Sequence, residues 1–371
     1  MNRKKLFKWH SWFALTAMLP LMILSITGSI LVFKPEIDLW LMKDHVALMQ
    51  GGGNRLSLDK SLADISQQLP EYELGRWKMF DDSARPDVLF VIKRGTFDWY
   101  KVYFNPYQGQ VISQAVPLNH DFTDWLLELH AHFLLEQSGQ ILGLILAGVF
   151  FFLGVSGLLI YKNFWKRLFT LRWDKKWRAF FSDIHKMFGV ISAPIFIILA
   201  ITGGYWNVSK LTRVSAGGPP APLVMNKPFY NPLISFDRLQ TDLEQVIPEF
   251  SLHYIGFPLN ANAPILMRGG VSTPLSMMSE FGSGARFDAV TGQLITQWDV
   301  RLQGNVTQLI NSFRSLHFGT FAGVPSRIFW FVLGAMPIVL AFTGSFLWWQ
   351  RRNKNKWQRT TKAMRDILYK A

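Results

Sequence analysis

Four stretches of this chain run for at least 23 consecutive residues without a charged side chain. They cover residues 11–33, 138–161, 187–209 and 328–350. A helix of this length crosses the hydrocarbon core of a membrane, which is about 30 Å thick. Charged residues make up only 17% of the whole chain, whereas soluble proteins have about 25%. We therefore expect an α-helical membrane protein whose transmembrane helices are these four stretches.

The basic residues are concentrated in three short segments. Residues 1–9, 162–186 and 351–371 hold 20 of the 39 lysines and arginines but only three acidic residues. Because short, positively charged segments remain in the cytoplasm, we expect both termini and the 162–186 loop there. The two long segments carry 19 basic and 22 acidic residues, and we expect them in the periplasm of a bacterial inner membrane. The net charge of +14 is thus interpreted as a signal of orientation in the membrane. We expect membrane lipid as a partner, and no nucleic acid.

These boundaries predict a multi-pass layout. The expected order is a cytoplasmic N-terminus with the first helix (1–33), a periplasmic domain (34–137), the second helix (138–161), a cytoplasmic loop (162–186), the third helix (187–209), a second periplasmic domain (210–327), the fourth helix (328–350) and a cytoplasmic tail (351–371). In the first domain, apolar spacing behind Ser57 predicts a helix over 58–69, and β-rich runs predict strands over 88–93 and 99–104. Short helices are expected over about 120–136 and 304–317, ending near Gly139 and Gly319. The domains are thus α+β.

The second half of the chain repeats the first. The matched residues are His10 with His185, Thr27-Gly28 with Thr202-Gly203, Ser57-Leu58-Asp59 with Ser235-Phe236-Asp237, His130 with His317, and Ser156-Gly157 with Thr343-Gly344. The offset grows from 175 to 187 along the chain, as small insertions in the second copy require. We predict two parallel repeats whose four helices form one bundle around a pseudo-twofold axis along the membrane normal. The threonines before the glycines are expected to hydrogen-bond only to their own helices.

Four of the eight histidines occupy repeated positions. His10 and His185 lie at the cytoplasmic face, and His130 and His317 lie near the outer surface. The pseudo-twofold axis brings the members of each pair toward the centre from opposite sides. Two neutral imidazoles on opposite sides of a flat macrocycle are the axial ligands of a six-coordinate haem. We therefore predict two haems, one near each membrane face, with one histidine pair ligating each iron.

Alternatives remain open for these sites. His132 lies two residues from His130 and is an alternative ligand in its place. Zinc is a weaker alternative, since no carboxylate accompanies a pair at a ligand-like spacing. His45, His120 and His253 have no repeat partner and are expected at the surface. The chain has no cysteine, which excludes thiolate metal sites and iron–sulfur clusters. No pattern identifies a catalytic side chain.

The repeated motifs resemble known families. Residues 57–72 and 235–250, with the turns at 105–110 and 288–293, resemble PepSY domains. The helices carry the repeated histidines, the Ser/Thr-Gly pairs and the tail Thr343-Gly344-Ser345-Phe346-Leu347-Trp348-Trp349, and these resemble the PepSY-associated transmembrane family. The resemblance implies an inner-membrane protein with four helices and two periplasmic PepSY-like domains. Some members are haem-containing reductases that take iron from siderophores.

The resemblance also implies a function. The chain would transfer electrons across the membrane through two b-type haems, one held by His10 and His185 and one by His130 and His317. An unknown cytoplasmic or quinol donor would supply the electrons. A ferric siderophore, or another periplasmic ferric chelate, would accept them for iron uptake, which makes the chain an oxidoreductase. Two alternatives stay open: a cofactor-free, membrane-anchored PepSY module that binds or regulates a protein, and a transporter of small substrates.

Overall fold

The computed structural model describes residues 2–43, 53–161, 166, 168–173, 176–215, 224–273 and 277–368. In chain order, its main elements are α1 (Arg3–Thr16), α2 (Met18–Leu31), α3 (Lys34–Leu41), α4 (Leu58–Gln68), β1 (Tyr72–Lys78), β2 (Asp87–Lys93), β3 (Trp99–Asn105), β4 (Gln110–Val111), β5 (Val116–Pro117), α5 (Phe122–His132), α6 (Glu136–Ile160), α7 (Trp177–Ser215), α8 (Phe236–Val246), β6 (Phe250–Gly256), β7 (Ile265–Val271), β8 (Ser283–Phe287), β9 (Leu294–Trp298), α9 (Asn305–Phe318), α10 (Gly323–Gly334) and α11 (Met336–Leu368).

Three helical stretches among the described residues are long and apolar enough to span a membrane. They are α6, residues 177–213 of α7, and residues 323–353 of α10 and α11. The pair α1 and α2 makes a fourth if it is one span, but its two helices are bent by 66° at Ala17. The predicted stretches 138–161, 187–209 and 328–350 thus coincide with apolar helices, whereas the first predicted stretch is a broken one.

Prolines lie beside two of the helix breaks. Pro20 lies in the first turn of α2, and Pro337 lies in the first turn of α11. Proline has no N–H group, and it is tolerated in a first turn because that N–H has no intrahelical acceptor. Pro194 lies inside α7, which continues through it. At the second break, the Ser25 hydroxyl donates to the Gly334 carbonyl at 2.6 Å, which joins α2 to α10.

All the described strands belong to one antiparallel sheet. Their order is β4-β3-β2-β1-β6-β7-β8-β9, with β5 paired to β3. The pairing of β1 with β6 sets Lys78 opposite Tyr254 and joins a strand from segment 34–137 to one from segment 210–327. The strands predicted over 88–93 and 99–104 are confirmed as β2 and β3. The helix predicted over 58–69 is confirmed as α4, and Ser57 Oγ caps it by accepting from the Lys60 N–H at 3.3 Å.

One face of the sheet is covered by α4 and α8. Alternate strand residues point into this layer, which is why Trp77, Leu89, Met267 and Phe287 are almost fully buried. Large helix residues from both segments, such as Phe236 of α8, fill the same core. The sheet therefore has a single apolar core to which both segments contribute.

The helices α3 and α5 lie on the opposite face of the sheet. Lys101 of β3 is buried and pairs with Asp121 and Asp124 at the start of α5. Asp124 also binds Lys34 of α3 at 2.7 Å. Because Asp124 pairs with both lysines, this charged network fixes α5 between the sheet and the N-terminal helices.

The helix predicted over 120–136 is shorter than expected. α5 ends at His132 because Phe133 adopts a left-handed conformation with φ 55°. The first copy has no glycine at this turn, so a bulkier residue takes the conformation that glycine adopts more readily. The second copy ends as predicted: α9 stops at Phe318, and Gly319 takes the left-handed position with φ 69°.

Candidate functional site

Each repeated histidine forms a hydrogen bond through Nδ1 to a hydroxyl on another helix. The Nδ1–Oγ distances are 2.7 Å for His10 with Ser156, 2.9 Å for His130 with Thr27, 2.8 Å for His185 with Thr343 and 2.8 Å for His317 with Thr202. In every case the hydroxyl residue precedes a glycine in the sequence. The helix pairs joined in this way are α1 with α6, α5 with α2, α7 with α11, and α9 with α7.

The glycine after each hydroxyl makes room for the imidazole ring. An added Cβ would lie 2.8 Å from His130 Cε1 at Gly28, 3.2 Å from His185 Cε1 at Gly344, 3.3 Å from His317 Cε1 at Gly203 and 3.7 Å from His10 Cε1 at Gly157. The missing side chain at these positions therefore forms a cradle for each ring. In each motif the hydroxyl residue gives the imidazole a hydrogen bond, and the glycine that follows lets the ring come close to the helix.

The hydroxyl fixes which nitrogen of each ring carries the proton. Thr27, Thr202 and Thr343 each donate to the backbone carbonyl four residues earlier, at 2.7–2.8 Å. A hydroxyl has a single hydrogen, so it must then accept the hydrogen bond from the histidine. Nδ1 is therefore the protonated nitrogen, and Nε2 keeps a free lone pair. Ser156 donates instead to the Leu153 carbonyl, three residues earlier, over a longer distance of 3.4 Å, and we expect it to accept from His10 as the threonines accept from their histidines. Histidines that bind a metal through one ring nitrogen are commonly oriented in this way, by a hydrogen bond from the N–H of the other ring nitrogen.

His130 and His317 are brought together. Their ring centres are 6.3 Å apart, and the ring planes make an angle of 65°. Metal–imidazole bonds are about 2 Å long, so two rings that share one metal ion from opposite sides have centres roughly 6 Å apart. Burial lowers the pKa of both histidines, so the rings are neutral near pH 7. The spacing and the neutral Nε2 atoms fit a shared metal ion.

His10 and His185 form a second, looser pair. They lie on α1 and α7, near enough for their charges to interact, but their rings are not in contact. Within the described ranges, no three histidine or acidic side chains come together as a metal-binding group. A pair of histidines alone suits a metal that brings its own equatorial ligands, as a haem iron does. The residues present therefore fit haem better than zinc, which takes four ligands.

The other histidines have different partners. His132 Nε2 lies 3.0 Å from Glu128 of the same helix, and its buried Nδ1 has no partner in the part of the chain that the structure describes. His253 pairs with Asp81 at 2.9 Å, and His120 with Asp121 at 3.1 Å. His45 lies outside the described residues. The geometry therefore favours His130 over His132 as the partner of His317.

Sequence reasoning missed the role of the hydroxyls. The expectation that the threonines bond only to their own helices is wrong, because each also bonds a histidine. The signal was present, since a serine or threonine stands before each repeated glycine at all four positions.

Comparisons with known proteins agree with the repeated motifs. A search of curated proteins finds no match. A family model described as the PepSY-associated TM region matches residues 7–351. That range contains all four repeated histidines and the apolar helices α6, α7 and α10, so the resemblance predicted from the motifs is confirmed. The chain is a membrane protein, and it belongs to the family of PepSY-associated transmembrane regions.

Proposed function

We propose that this chain is a membrane electron-transfer protein that binds two b-type haems. His130 and His317 would hold one, and His10 and His185 the other. The substrate would be a ferric chelate, such as siderophore-bound iron, on the side of the membrane that carries the sheet. One electron from a cytoplasmic or quinol donor reduces Fe(III) to Fe(II), which hard oxygen chelators hold more weakly.

The observation that supports this proposal is that all four imidazoles have the same kind of surroundings. Each ring is oriented by a hydroxyl, cradled by a glycine and left with an unprotonated Nε2. A histidine that only stabilises the fold does not need this arrangement four times. When bound, haem iron would supply reversible one-electron chemistry. The chain's part is to fix the tautomer, to orient the rings and to surround them with apolar helices.

The proposal includes the layout expected from the sequence. Four helices would form one bundle from two parallel repeats, with α1 and α2 as a single bent span. Segments 34–137 and 210–327 would be periplasmic PepSY-like domains that share one sheet. The termini and the 162–186 loop would be cytoplasmic. In this layout the two histidine pairs lie at opposite membrane faces, as electron transfer across the membrane requires.

The absorption spectrum of the purified full chain tests the proposal. We expect the dithionite-reduced spectrum in detergent to show the bands of six-coordinate b-type haem, with close to two haems per chain. A reduced spectrum without haem bands would contradict it and favour the cofactor-free PepSY module.

Substitutions at neighbouring histidines test the ligand assignment. His130→Ala should lower the haem content by about one equivalent, because it removes one of the two imidazoles that would hold that haem. His132→Ala is the matched control on the same helix and should keep both haems, since His132 pairs with Glu128. If His132→Ala lost a haem and His130→Ala kept both, the assignment of the ligand would be wrong.

A further inference from the structure

Four cations lie in two adjacent rows on the sheet face opposite α4 and α8. Strand residues alternate between faces, and the neighbours Trp77, Met267 and Ala285 are in the core, so these cations project away from it. Strand pairing aligns the first row as Lys78, Tyr254, Arg268, Gly284 and Trp298 and the second as Arg76, Gly256, Leu266 and Arg286. We call Arg76, Lys78, Arg268 and Arg286 the cationic rows.

Aromatic rings lie beside each of the cationic rows. The distances to ring centres are 4.8 Å for Arg76 and Trp99, 5.7 Å for Lys78 and Phe281, 6.0 Å for Arg268 and Trp298, and 5.4 Å for Arg286 and Trp298. None of the four has an ion pair or a side-chain hydrogen bond to another described residue. Cation–π contact orients a cation without neutralising it, so these ring contacts leave the positive charge of the rows in place.

Burial makes this charge costly. Arg268 Nε is buried without a hydrogen-bond partner among the described residues. Burial, together with the charges of Arg314 and Arg85, lowers the pKa of Lys78 to about 8. Burial also lowers the pKa of Arg268. A buried charge without a partner destabilises the fold. An anion that bridged the rows would supply this partner and lower the free-energy cost of burying the charge.

A series of polar and aromatic contacts leads from Lys78 toward the helix that carries His317. Glu280, an acid whose charge acts on Lys78, is already held by three hydrogen bonds from Arg314, at 2.9–3.1 Å. Arg314 in turn lies 4.9 Å from the ring centre of Phe318, the residue after His317. These contacts connect Lys78, through Glu280 and Arg314, to the residue that follows His317.

We propose that the cationic rows bind a soluble polycarboxylate anion, such as a metal citrate chelate. Carboxylates accept charge-assisted hydrogen bonds from lysine and arginine. Lys78 and Arg268 are two strands apart, which places their backbones about 10 Å from each other, and a chelate with several carboxylates can reach both. Only the identification of this anion as the ferric substrate rests on the proposed function; the binding itself does not require haem.

Calorimetry with gallium(III) citrate tests the proposal on the full chain in detergent, because gallium(III) binds citrate but is not reduced. We expect saturable binding that weakens as salt screens the charges. Lys78→Gln and Arg268→Gln should each weaken binding about tenfold, since each removes a charge-assisted hydrogen bond. Arg268→Lys keeps the charge and should lose less. Arg238→Gln on α8 is the matched control: its side chain is 82% exposed, and its substitution should change nothing.

Three results would overturn the proposal. The first is no binding by the unaltered chain, or equal binding by all variants. The second is loss of haem from Lys78→Gln and Arg268→Gln with citrate binding intact, which would assign the rows to haem carboxylates. The third is loss of co-purified phospholipid with citrate binding intact, which would assign them to lipid headgroups. A chain that binds gallium citrate but contains no haem would contradict the proposed function and leave this inference standing.

Discussion

The hydroxyl before each repeated glycine decides which imidazole nitrogen stays free. A threonine in a helix usually donates to a carbonyl of its own helix, and Thr202 does so to Ile198 O at 2.8 Å. That bond uses its only hydrogen, so the oxygen can only accept from His317. A hydrogen bond that is common for threonine in helices thereby sets the tautomer of the histidine. No charged residue is needed for this in an apolar environment.

Removing one such hydroxyl should weaken the proposed haem site and leave the fold intact. Thr202→Val keeps the size and branching of the side chain but leaves His317 Nδ1 without its acceptor. Loss of a partner that orients a metal ligand typically costs 10–100-fold in metal affinity. We expect haem to leave this site about tenfold more readily in a competition assay with apomyoglobin.

The same helix offers the control for this experiment. Among the described residues, the Thr212 hydroxyl of α7 bonds only to the backbone carbonyls of Val208 and Ser209. Thr212→Val should therefore leave haem retention unchanged. Equal retention by Thr202→Val and Thr212→Val would mean that the hydroxyl does not support the ligand.

The cradle glycines make a second prediction at this scale. A Cβ at Gly28 would lie 2.8 Å from His130 Cε1, so Gly28→Ala must move the ring or the helix. We expect loss of about one haem equivalent and a destabilisation of about 1–3 kcal/mol, as for other overpacked sites. Haem content and thermal unfolding measure the two effects.

Gly148→Ala on α6 is the control for the cradle. A Cβ there meets nothing within 4 Å, and alanine favours helix over glycine by up to about 1 kcal/mol. This variant should keep both haems and unfold no earlier than the unaltered chain. Full haem content in Gly28→Ala would show that the close approach is not needed.

The histidines could be predicted from the sequence because both copies carry them. Their hydroxyl partners could not be assigned with equal ease, since serine and threonine are common in helices for reasons of their own. His130 and His132 could not be separated either. The two differ by their partners, Thr27 and Glu128, and a sequence does not state which face of a short helix turns inward.

At the scale of elements, α4 and α8 cap each other. Asp59 of α4 accepts from the Phe236 N–H at 2.6 Å, and Asp237 of α8 accepts from the Leu58 N–H at 2.7 Å. Each carboxylate thus satisfies free N–H groups at the start of the other helix, where negative charge is also favoured by the helix dipole. This reciprocal contact joins the two segments on the helical side of the sheet.

Removing one of these carboxylates should loosen both segments. Asp59→Ala leaves the buried N–H of Phe236 without its acceptor, at a cost of about 1–2 kcal/mol. We expect the thermal midpoint of the full chain, followed by tryptophan fluorescence, to fall by about 2–8 °C. Asp242→Ala is the control, since the polar partner of this half-exposed residue within the described ranges is Arg238, at 3.9 Å.

A double-mutant cycle sharpens this test. If the two caps form one junction, Asp59→Ala and Asp237→Ala together should cost less than the sum of the single changes. Strict additivity would mean that each helix start is stabilised independently, which would contradict a shared junction.

Local patterns predicted the elements better than their assembly. Ser57 and the apolar spacing behind it specify α4, and β-branched and aromatic residues specify β2 and β3. The pairing of β1 with β6 depends on which edge strand of one segment meets which edge strand of the other. The local sequence of neither strand predicts this. The end of α5 at Phe133 was also missed, because a non-glycine residue takes the left-handed position there.

At the scale of the whole molecule, the balance of basic and acidic residues differs between two sets of segments. The sheet and its helices come from segments that carry 19 basic and 22 acidic residues, whereas 20 basic and three acidic residues lie in the termini and the 162–186 loop. Because positive segments are retained in the cytoplasm, this asymmetry predicts an orientation in the membrane. The proposed function needs that orientation, because the cationic rows must face the compartment that holds the ferric chelate.

The absence of cysteine makes this orientation directly testable. Lys4 and Gln67 are both exposed, so Lys4→Cys and Gln67→Cys each introduce one accessible thiol into a chain that has none. In intact spheroplasts, a membrane-impermeant maleimide should label Gln67→Cys and leave Lys4→Cys unlabelled, since residues 1–9 are expected to be cytoplasmic. Both variants should be labelled equally after lysis, and the unaltered chain should never be labelled. Labelling of Lys4→Cys in intact spheroplasts would reverse the orientation and place the cationic rows in the cytoplasm.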